Sequence, residues 1–197
     1  MRIKMSAIIG VAICFVLTLL LILGQSELVI ATPESVIYDK AQRSQPSFLT
    51  ALEQLVNIDS GTGDLQGLTK VENLAIERLK SVTTDIKTVT AKPSAGRNII
   101  ATIKGTGKGK ILLLAHTDTV FKQGTVTKYP FKIANGKASG PGVMDDKGSI
   151  LLGIEALRIL KEVNFNNFDT ITFLICFFHL YLLHLLLWFC PLLLVKT

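Results

Sequence analysis

Cysteine, which can form disulfides and bind metals, is missing from the long central part of the sequence, residues 32–170. The three cysteines of the 197-residue chain are Cys14, Cys176 and Cys190, and all lie in its two apolar ends. The central part therefore has neither a disulfide framework nor a thiolate metal site. Any metal bound there must be held by histidine and carboxylate side chains.

Strong charge of one sign is also missing. The chain has 21 Lys and Arg against 15 Asp and Glu, a net charge of +6. This modest excess includes no run of Lys or Arg, so it is a weak indication of nucleic-acid binding. We predict no nucleic-acid partner.

The N-terminal end has the pattern of an export signal. Arg2 and Lys4 precede the uncharged residues 5–24, and small Ala31 offers a cleavage site. Residues 1–31 are therefore predicted to be a cleaved signal peptide or an uncleaved membrane anchor. Both alternatives export the rest of the chain, which would be periplasmic or secreted if cleaved and membrane-anchored otherwise.

The C-terminal end lacks charge, since residues 171–195 contain no Asp, Glu, Lys or Arg. This segment is long enough to cross a bilayer. The alternative interpretation is a buried strand followed by an unrelated tail, and the change of composition at residue 176 suggests a frame change or truncation in a longer gene. We therefore treat 176–197 as a hydrophobic tail. It either spans a membrane together with 171–175 or is unrelated to a membrane.

The central part predicts one α/β domain with a mixed sheet, because helical and strand periodicities alternate along it. Residues 111–115 are continuously apolar, as in a strand buried on both faces. The predicted elements are a linker or frayed helix at 32–45, a helix opened by Pro46, a helix at about 69–82, strands near 86–89, 99–103 and 111–115, a hairpin turning at Asn135-Gly136, a helix at 147–161 and a strand at 170–175.

The first candidate functional segment is His116-Thr117-Asp118, which follows the strand 111–115. Open α/β sheets bind ligands at the carboxyl ends of their strands. Alternate residues of an extended segment point the same way, so His116 and Asp118 can share one face. Imidazole binds zinc well, and a neighbouring carboxylate fixes its tautomer and raises its basicity.

The second candidate segment places Asp145 and Asp146 at the start of the predicted helix 147–161, after a glycine-rich turn. Carboxylates at this position either bind a ligand or simply stabilise the helix N-terminus through its dipole. Considered alone, neither segment separates a site from an ordinary structural role.

Considered together, the segments resemble a known family. The similar stretches read LVNIDSGTGD at 55–64, LLLAHTDTV at 112–120 and GPGVMDDKG at 140–148, and the strand 170–175 agrees with them. The chain resembles the zinc-dependent exopeptidases of the aminoacylase and glutamate carboxypeptidase family, with the greatest likeness to the glutamate carboxypeptidases that split folates. The resemblance implies that residues 46–175 are the N-terminal part of a metallopeptidase catalytic domain, an α/β/α sandwich with a mixed central sheet.

The resemblance also implies roles for single residues. His116 matches the family's first metal-binding histidine, and Asp118 matches the catalytic-site acid that orients this histidine. Asp145 matches the carboxylate that bridges two zinc ions, whereas Asp146 occupies a variable position. In such a site the zinc ions polarise the scissile carbonyl and activate a water, and a glutamate accepts its proton. The implied substrate is a small peptide or N-acyl amino acid, such as one with a C-terminal glutamate.

The sequence departs from the family pattern after residue 175. Family members continue this strand into a Glu-Glu pair that supplies the general base and a zinc ligand, but this chain reads CFFHL at 176–180. No Asp or Glu follows Asp169, and the later ligands and the dimerisation domain are missing. We therefore expect a truncated, exported metallopeptidase that does not hydrolyse peptides.

Two alternatives to this expectation remain. One is a non-catalytic module tethered to a membrane through 5–24 and 171–195, and the other is a remnant that only binds metal. His179 and His184 are not predicted to replace the missing ligands, because residues five apart do not share one helical face.

Overall fold

The computed structural model describes residues 33–91 and 96–177. The chain divides into two units after Ser35, and all but three of the described residues belong to the second. The elements in chain order are α1 (Pro33–Val56), α2 (Leu65–Leu79), β1 (Ile86–Thr90), β2 (Arg97–Lys104), β3 (Lys110–His116), α3 (Thr125–Lys128), β4 (Lys132–Ala134), β5 (Lys137–Ser139), α4 (Lys147–Glu162) and β6 (Thr170–Cys176).

Four of the strands form a mixed sheet in the order β1-β2-β6-β3. β2 pairs antiparallel with both β1 and β6, whereas β3 and β6 are parallel. In the register of the central strand, Leu174 lies opposite Ile100 on one side and Leu114 on the other. Because α4 connects β3 to the parallel strand β6, the chain forms a βαβ unit. The mixed α/β fold predicted from the sequence is confirmed.

The main core lies between this sheet and two helices. α2 and α4 alternate apolar and polar residues with helical periodicity, and their apolar faces pack on one face of the sheet. The buried residues of this cluster are Ala75, Leu79, Val82, Ile99, Ala101, Ala115, Ile150, Ile154, Leu157, Phe168, Ile171, Phe173 and Ile175. A second cluster joins Leu52, Leu55 and Val56 of α1 to Val71 of α2 and Leu151 of α4.

Strand β3 differs from its prediction. Its sequence indicated burial on both faces, but Ile111 and Leu112 are 48% and 38% exposed. Among the described residues β3 lies at the edge of the sheet, paired with β6 alone. A continuous apolar run shows that a strand is apolar all round, but it does not show how many layers cover it.

Two helix starts differ from their predictions. For residues 32–45 the helical alternative is confirmed from Pro33 onward, and this helix continues through Pro46, which was expected to open a helix. Pro46 removes one backbone donor from this helix, and the hydroxyls of Ser47 and Thr50 donate to the carbonyls of Ser44 and Pro46. The second helix begins at Leu65, because Asp64 caps it by accepting a hydrogen bond from the Gly67 amide, 3.0 Å away.

The predicted hairpin is confirmed, since β4 and β5 pair antiparallel around Asn135 and Gly136. Both turn residues have positive φ, 51° and 70°, which is the conformation that two-residue hairpin turns require.

Of the two interpretations of residues 171–175, a membrane span or a buried strand, the structure shows the strand. These residues belong to β6 and form hydrogen-bonded ladders with strands on both sides. No helix within 33–91 and 96–177 is long and apolar enough to cross a membrane. The predicted signal peptide or anchor at 1–31 and the tail from 178 onward lie outside the described residues.

Candidate metal centre

The site forms where β3 ends and α4 begins. His116 is the last residue of β3, and its backbone amide donates a hydrogen bond to Asp146 Oδ2, 2.9 Å away. Asp146 directly precedes α4 and is joined to Asp145 by a cis peptide bond. This contact holds the start of the helix against the end of the strand. Asp145 is thereby placed beside the imidazole of His116.

The imidazole of His116 lies between two carboxylates. Its Nε2 is 2.9 Å from Asp145 Oδ1, and its Nδ1 is 3.2 Å from Asp118 Oδ1 and 3.0 Å from the Asp118 carbonyl oxygen. The His116 and Asp118 side chains are buried, whereas the Asp145 side chain is 72% exposed. The contacts of Nδ1 with Asp118 therefore fix the ring, and Nε2 faces the solvent-accessible carboxylate of Asp145.

The charges of these groups depend on each other. Burial by itself lowers the pKa of His116, but the hydrogen bond that the ring donates to Asp118, the charge of Asp146 and the hydrogen bond to Asp145 outweigh it and raise the pKa to about 9. Burial works to raise the pKa of Asp118, but its hydrogen bonds with His116 and Thr62 outweigh it and lower the pKa below the ordinary value. Without a metal, the imidazole is thus protonated at neutral pH. A metal ion must displace that proton.

The loop between α1 and α2 forms hydrogen bonds with the segment that carries His116 and Asp118. Thr62 Oγ1 donates a hydrogen bond to Asp118 Oδ2 at 2.6 Å, and Ser60 Oγ donates to the Thr117 carbonyl at 3.1 Å. Asp59 accepts hydrogen bonds from the amides of Gly124 and Val126. The loop therefore contacts the segment around His116 as well as the chain that follows it.

Lys147, the first residue of α4, is fully buried beside this loop. Its Nζ donates a 2.6 Å hydrogen bond to the Ile58 carbonyl. Burial lowers the pKa of Lys147 to about 8, and the charge of Asp59 opposes this effect only in part. The lysine therefore connects the start of α4 to the loop.

Two of these side chains offer donor atoms at a separation that one zinc ion can span. Zinc accepts imidazole nitrogen and carboxylate oxygen at about 2.0–2.2 Å, so donor atoms 2.9 Å apart can bind the same ion. Asp146 Oδ2 is 4.0 Å from His116 Nε2 and is engaged by the backbone amide. Within the described ranges, no group of three or more His, Cys, Asp or Glu is arranged to hold a metal. The described residues thus fit two ligands of a zinc site.

The structure brings together all three residues singled out from the sequence. His116 and Asp145 face each other, and Asp118 contacts the opposite ring nitrogen. Their roles as metal ligands and orienting acid stay predictions. The sequence did not indicate the contacts of Thr62 and Asp146. The only sequence signal for Thr62 was its place in the turn-rich loop that carries part of the family resemblance.

The sequence around this site is similar to that of known proteins. Residues 112–177 match the model of peptidase family M20/M25/M40. Carboxypeptidase G2 from Pseudomonas sp. (strain RS-16) is 39% identical over 145 residues, which are 72% of this chain and 34% of that protein. Acetylornithine deacetylase from Photorhabdus laumondii is 35% identical over 121 residues, which are 57% of this chain and 31% of that protein.

A solved structure supports the fold. Human carnosine dipeptidase 1 aligns with a TM-score of 0.61 and 21% identity, covering 71% of this chain and 33% of that one. The sequence resembles part of the peptidase M20 family, and the resemblance to zinc-dependent exopeptidases is confirmed. It spans about a third of the length of the curated relatives that it matches.

Proposed function

We propose that this chain holds a zinc ion through His116 and Asp145, as part of the metal centre of an exopeptidase that hydrolyses an amide bond next to a terminal amino acid. One observation carries the proposal: the imidazole is fixed by Asp118 on one nitrogen and directs the other at Asp145, 2.9 Å away. A histidine backed by a carboxylate and facing a second carboxylate is the arrangement that zinc sites use.

The exposure of the two proposed ligands supports a site that is open on one side. His116 is buried and rigidly held, while Asp145 reaches solvent. A bound zinc ion would supply a Lewis acid that polarises a carbonyl and lowers the pKa of a water. Asp118 keeps the imidazole oriented, and Asp146 holds the end of β3 in place through the His116 amide. By the family resemblance, Asp145 would also contribute to holding a second zinc ion; within 33–91 and 96–177 no group of three or more possible ligands is present for it.

The proposed substrate is a small peptide or an N-acyl amino acid, for example one with a C-terminal glutamate. The names of the relatives support this class, since one is a carboxypeptidase and another a deacetylase of an acetylated amino acid. Both names describe cleavage of an amide bond beside an amino acid.

We further propose that these 197 residues by themselves bind metal without hydrolysing this substrate. Hydrolysis needs a general base close to the metal-activated water. The sequence has no Asp or Glu after Asp169. The acids of the described site are already engaged, since Asp118 holds the ring and Asp146 accepts the His116 amide.

The test is equilibrium dialysis of the full chain, kept in mild detergent, against zinc. We expect about one equivalent to bind, to be lost in His116→Ala and to be weakened in Asp145→Asn. Asp85→Asn, which changes an exposed acid on another part of the domain, should leave binding unchanged. A stoichiometry near zero, or binding that survives His116→Ala, would contradict the zinc site.

The same preparation tests the absence of hydrolysis. A folate-like glutamyl substrate with added zinc should show no turnover above the rate without protein. Turnover that disappears in His116→Ala would show that the chain carries its own general base and would overturn this part of the proposal.

Export of the chain is proposed on the sequence pattern of its N-terminal end, with Arg2 and Lys4 before the apolar residues 5–24. Cell fractionation tests it: the chain should leave the cytoplasm, and deletion of residues 2–24 should retain it there.

A further inference from the structure

The carboxylate of Asp118 divides its two oxygens between two partners. Oδ1 faces His116 Nδ1 at 3.2 Å, and Oδ2 accepts a 2.6 Å hydrogen bond from the hydroxyl of Thr62. Thr62 is 56 residues away along the chain. The hydroxyl therefore contacts the far side of the group that holds the imidazole, without touching the imidazole itself.

The backbone fixes the position of this hydroxyl. The Thr62 amide donates to the Thr119 carbonyl at 3.0 Å, and the Thr119 amide donates to the Ser60 carbonyl at 2.8 Å. A side chain on Gly61 would overlap the carbonyl oxygen of Phe121, so this close approach requires glycine. The loop is thus attached to the residue directly after Asp118.

We propose that Thr62 is a positioning residue of the metal centre, whose hydroxyl sets the rotation of the Asp118 carboxylate and, through it, the orientation of the His116 ring. This rests on the proposed zinc site at His116 and Asp145. The terminal torsion of an aspartate is broad and has no strong preference of its own. A second hydrogen bond on Oδ2 confines it, so that Oδ1 stays on Nδ1 and Nε2 stays directed at Asp145.

Substitution of Thr62 separates this role from a simple structural contact. Thr62 itself is exposed, whereas Asp118 is 3% exposed. Thr62→Val keeps the shape of the side chain and removes only the hydroxyl, and Thr62→Ser keeps the hydroxyl. Thr69→Val is the matched control, because Thr69 is also exposed and its hydroxyl donates only to the Leu65 carbonyl of its own helix.

The experiment measures zinc affinity and the ¹⁵N spectrum of the His116 ring in the full chain, at one fixed pH. The ring signal is assigned by its loss in His116→Gln, and the spectrum is recorded without metal. We expect Thr62→Val to weaken zinc binding about 10–100-fold, the usual effect of losing a group that orients a ligand, and to shift the Nδ1 signal. Thr62→Ser should restore both, and the unfolding midpoint should change little.

Each other outcome has a defined meaning. Unchanged zinc affinity and an unchanged ring spectrum in Thr62→Val would overturn the positioning role. A loss that follows a lowered unfolding midpoint and is not rescued by serine would overturn it too, because the threonine would then only hold the loop. If the unaltered chain binds no zinc, the proposed function fails, while the metal-free ring spectrum still decides whether Thr62 orients His116.

Discussion

His116 and Asp145 are 29 residues apart in the sequence, yet His116 Nε2 lies 2.9 Å from Asp145 Oδ1. The βαβ unit produces this proximity, because α4 starts beside the end of β3 and runs back along the sheet before β6 begins. Asp146 secures the junction through the His116 amide. Adjacent aspartates therefore have different tasks, one facing the imidazole and one holding the backbone.

This division predicts that two matched substitutions affect zinc affinity to different extents. Asp146→Asn keeps an oxygen acceptor for the His116 amide, so zinc affinity should stay within a few-fold of the unaltered chain. Asp145→Asn removes a charged ligand and should weaken zinc binding by at least tenfold. Competition with a chelating dye measures both. Equal losses in the two variants would show that the aspartates do not differ in this way.

Stability of the metal-free chain should fall as the pH rises from 6 to 7.5. The pKa of His116 is about 9 in the fold and near 6.5 in the unfolded chain. Because the folded chain holds this proton more tightly, the stabilisation is complete below pH 6.5 and is lost as the pH rises through about 9. Over this interval the loss in the free energy of unfolding should be about 1 kcal/mol.

Urea unfolding with a chelator present measures this change, and His116→Gln should reduce it. The interval stops below pH 8 because burial lowers the pKa of Lys147 to about 8. Deprotonation of this lysine removes the cost of burying its charge, so above pH 8 it raises stability. A free energy of unfolding that stays constant or rises from pH 6 to 7.5 would contradict the arrangement around His116.

Gly153→Ala should destabilise the chain, although alanine is favoured over glycine inside helices. Gly153 lies in α4 above the ring of Phe173, and an added Cβ would lie 2.6 Å from Phe173 Cζ. Overpacking of this kind costs about 1–3 kcal/mol.

Phe173→Leu alone removes part of a fully buried ring and should also destabilise. Combined, the two changes should cost less than the sum of their separate effects, as chemical denaturation of the four proteins would show. Strict additivity would mean that the two residues do not compete for space.

Cys176 should resist alkylation in the folded chain. The residue is 2% exposed, and burial, aided by the charge of Asp118, raises the pKa of its thiol to about 11. The reactive thiolate is therefore scarce at pH 8. In a Cys14→Ser/Cys190→Ser variant, iodoacetamide should label Cys176 slowly under native conditions and rapidly in denaturant. Fast labelling of the folded chain would show that β6 is accessible at this end.

The sequence was sufficient to predict most elements of the fold. Helical and alternating periodicities indicated α2, α4 and the central strands, because those elements bury one side against a common core. The exposure of Ile111 and Leu112 could not be predicted, since it depends on which elements cover β3 rather than on β3 itself. A helix was expected to open at Pro46 because proline is common in the first turn of a helix, but α1 runs through this residue.

For the site, the place of His116, Asp118 and Asp145 after a strand and before a helix made them candidates, and the family resemblance singled them out. It did not indicate the partners of Thr62 and Asp146. The Thr62 hydroxyl reaches Asp118 only because the loop folds across the end of β3. Asp146 binds a backbone amide, and a sequence pattern of side chains does not indicate such a contact.

X-ray absorption of the zinc-loaded full chain tests the central claim most directly, because it identifies the atoms around the metal. The account predicts one imidazole with only oxygen as the other donors, at about 2.0–2.2 Å, and loss of the imidazole signal in His116→Ala. A sulfur shell near 2.3 Å, or an imidazole signal that persists in His116→Ala, would place the metal on the cysteines or on His179 and His184 and would contradict the site at His116 and Asp145.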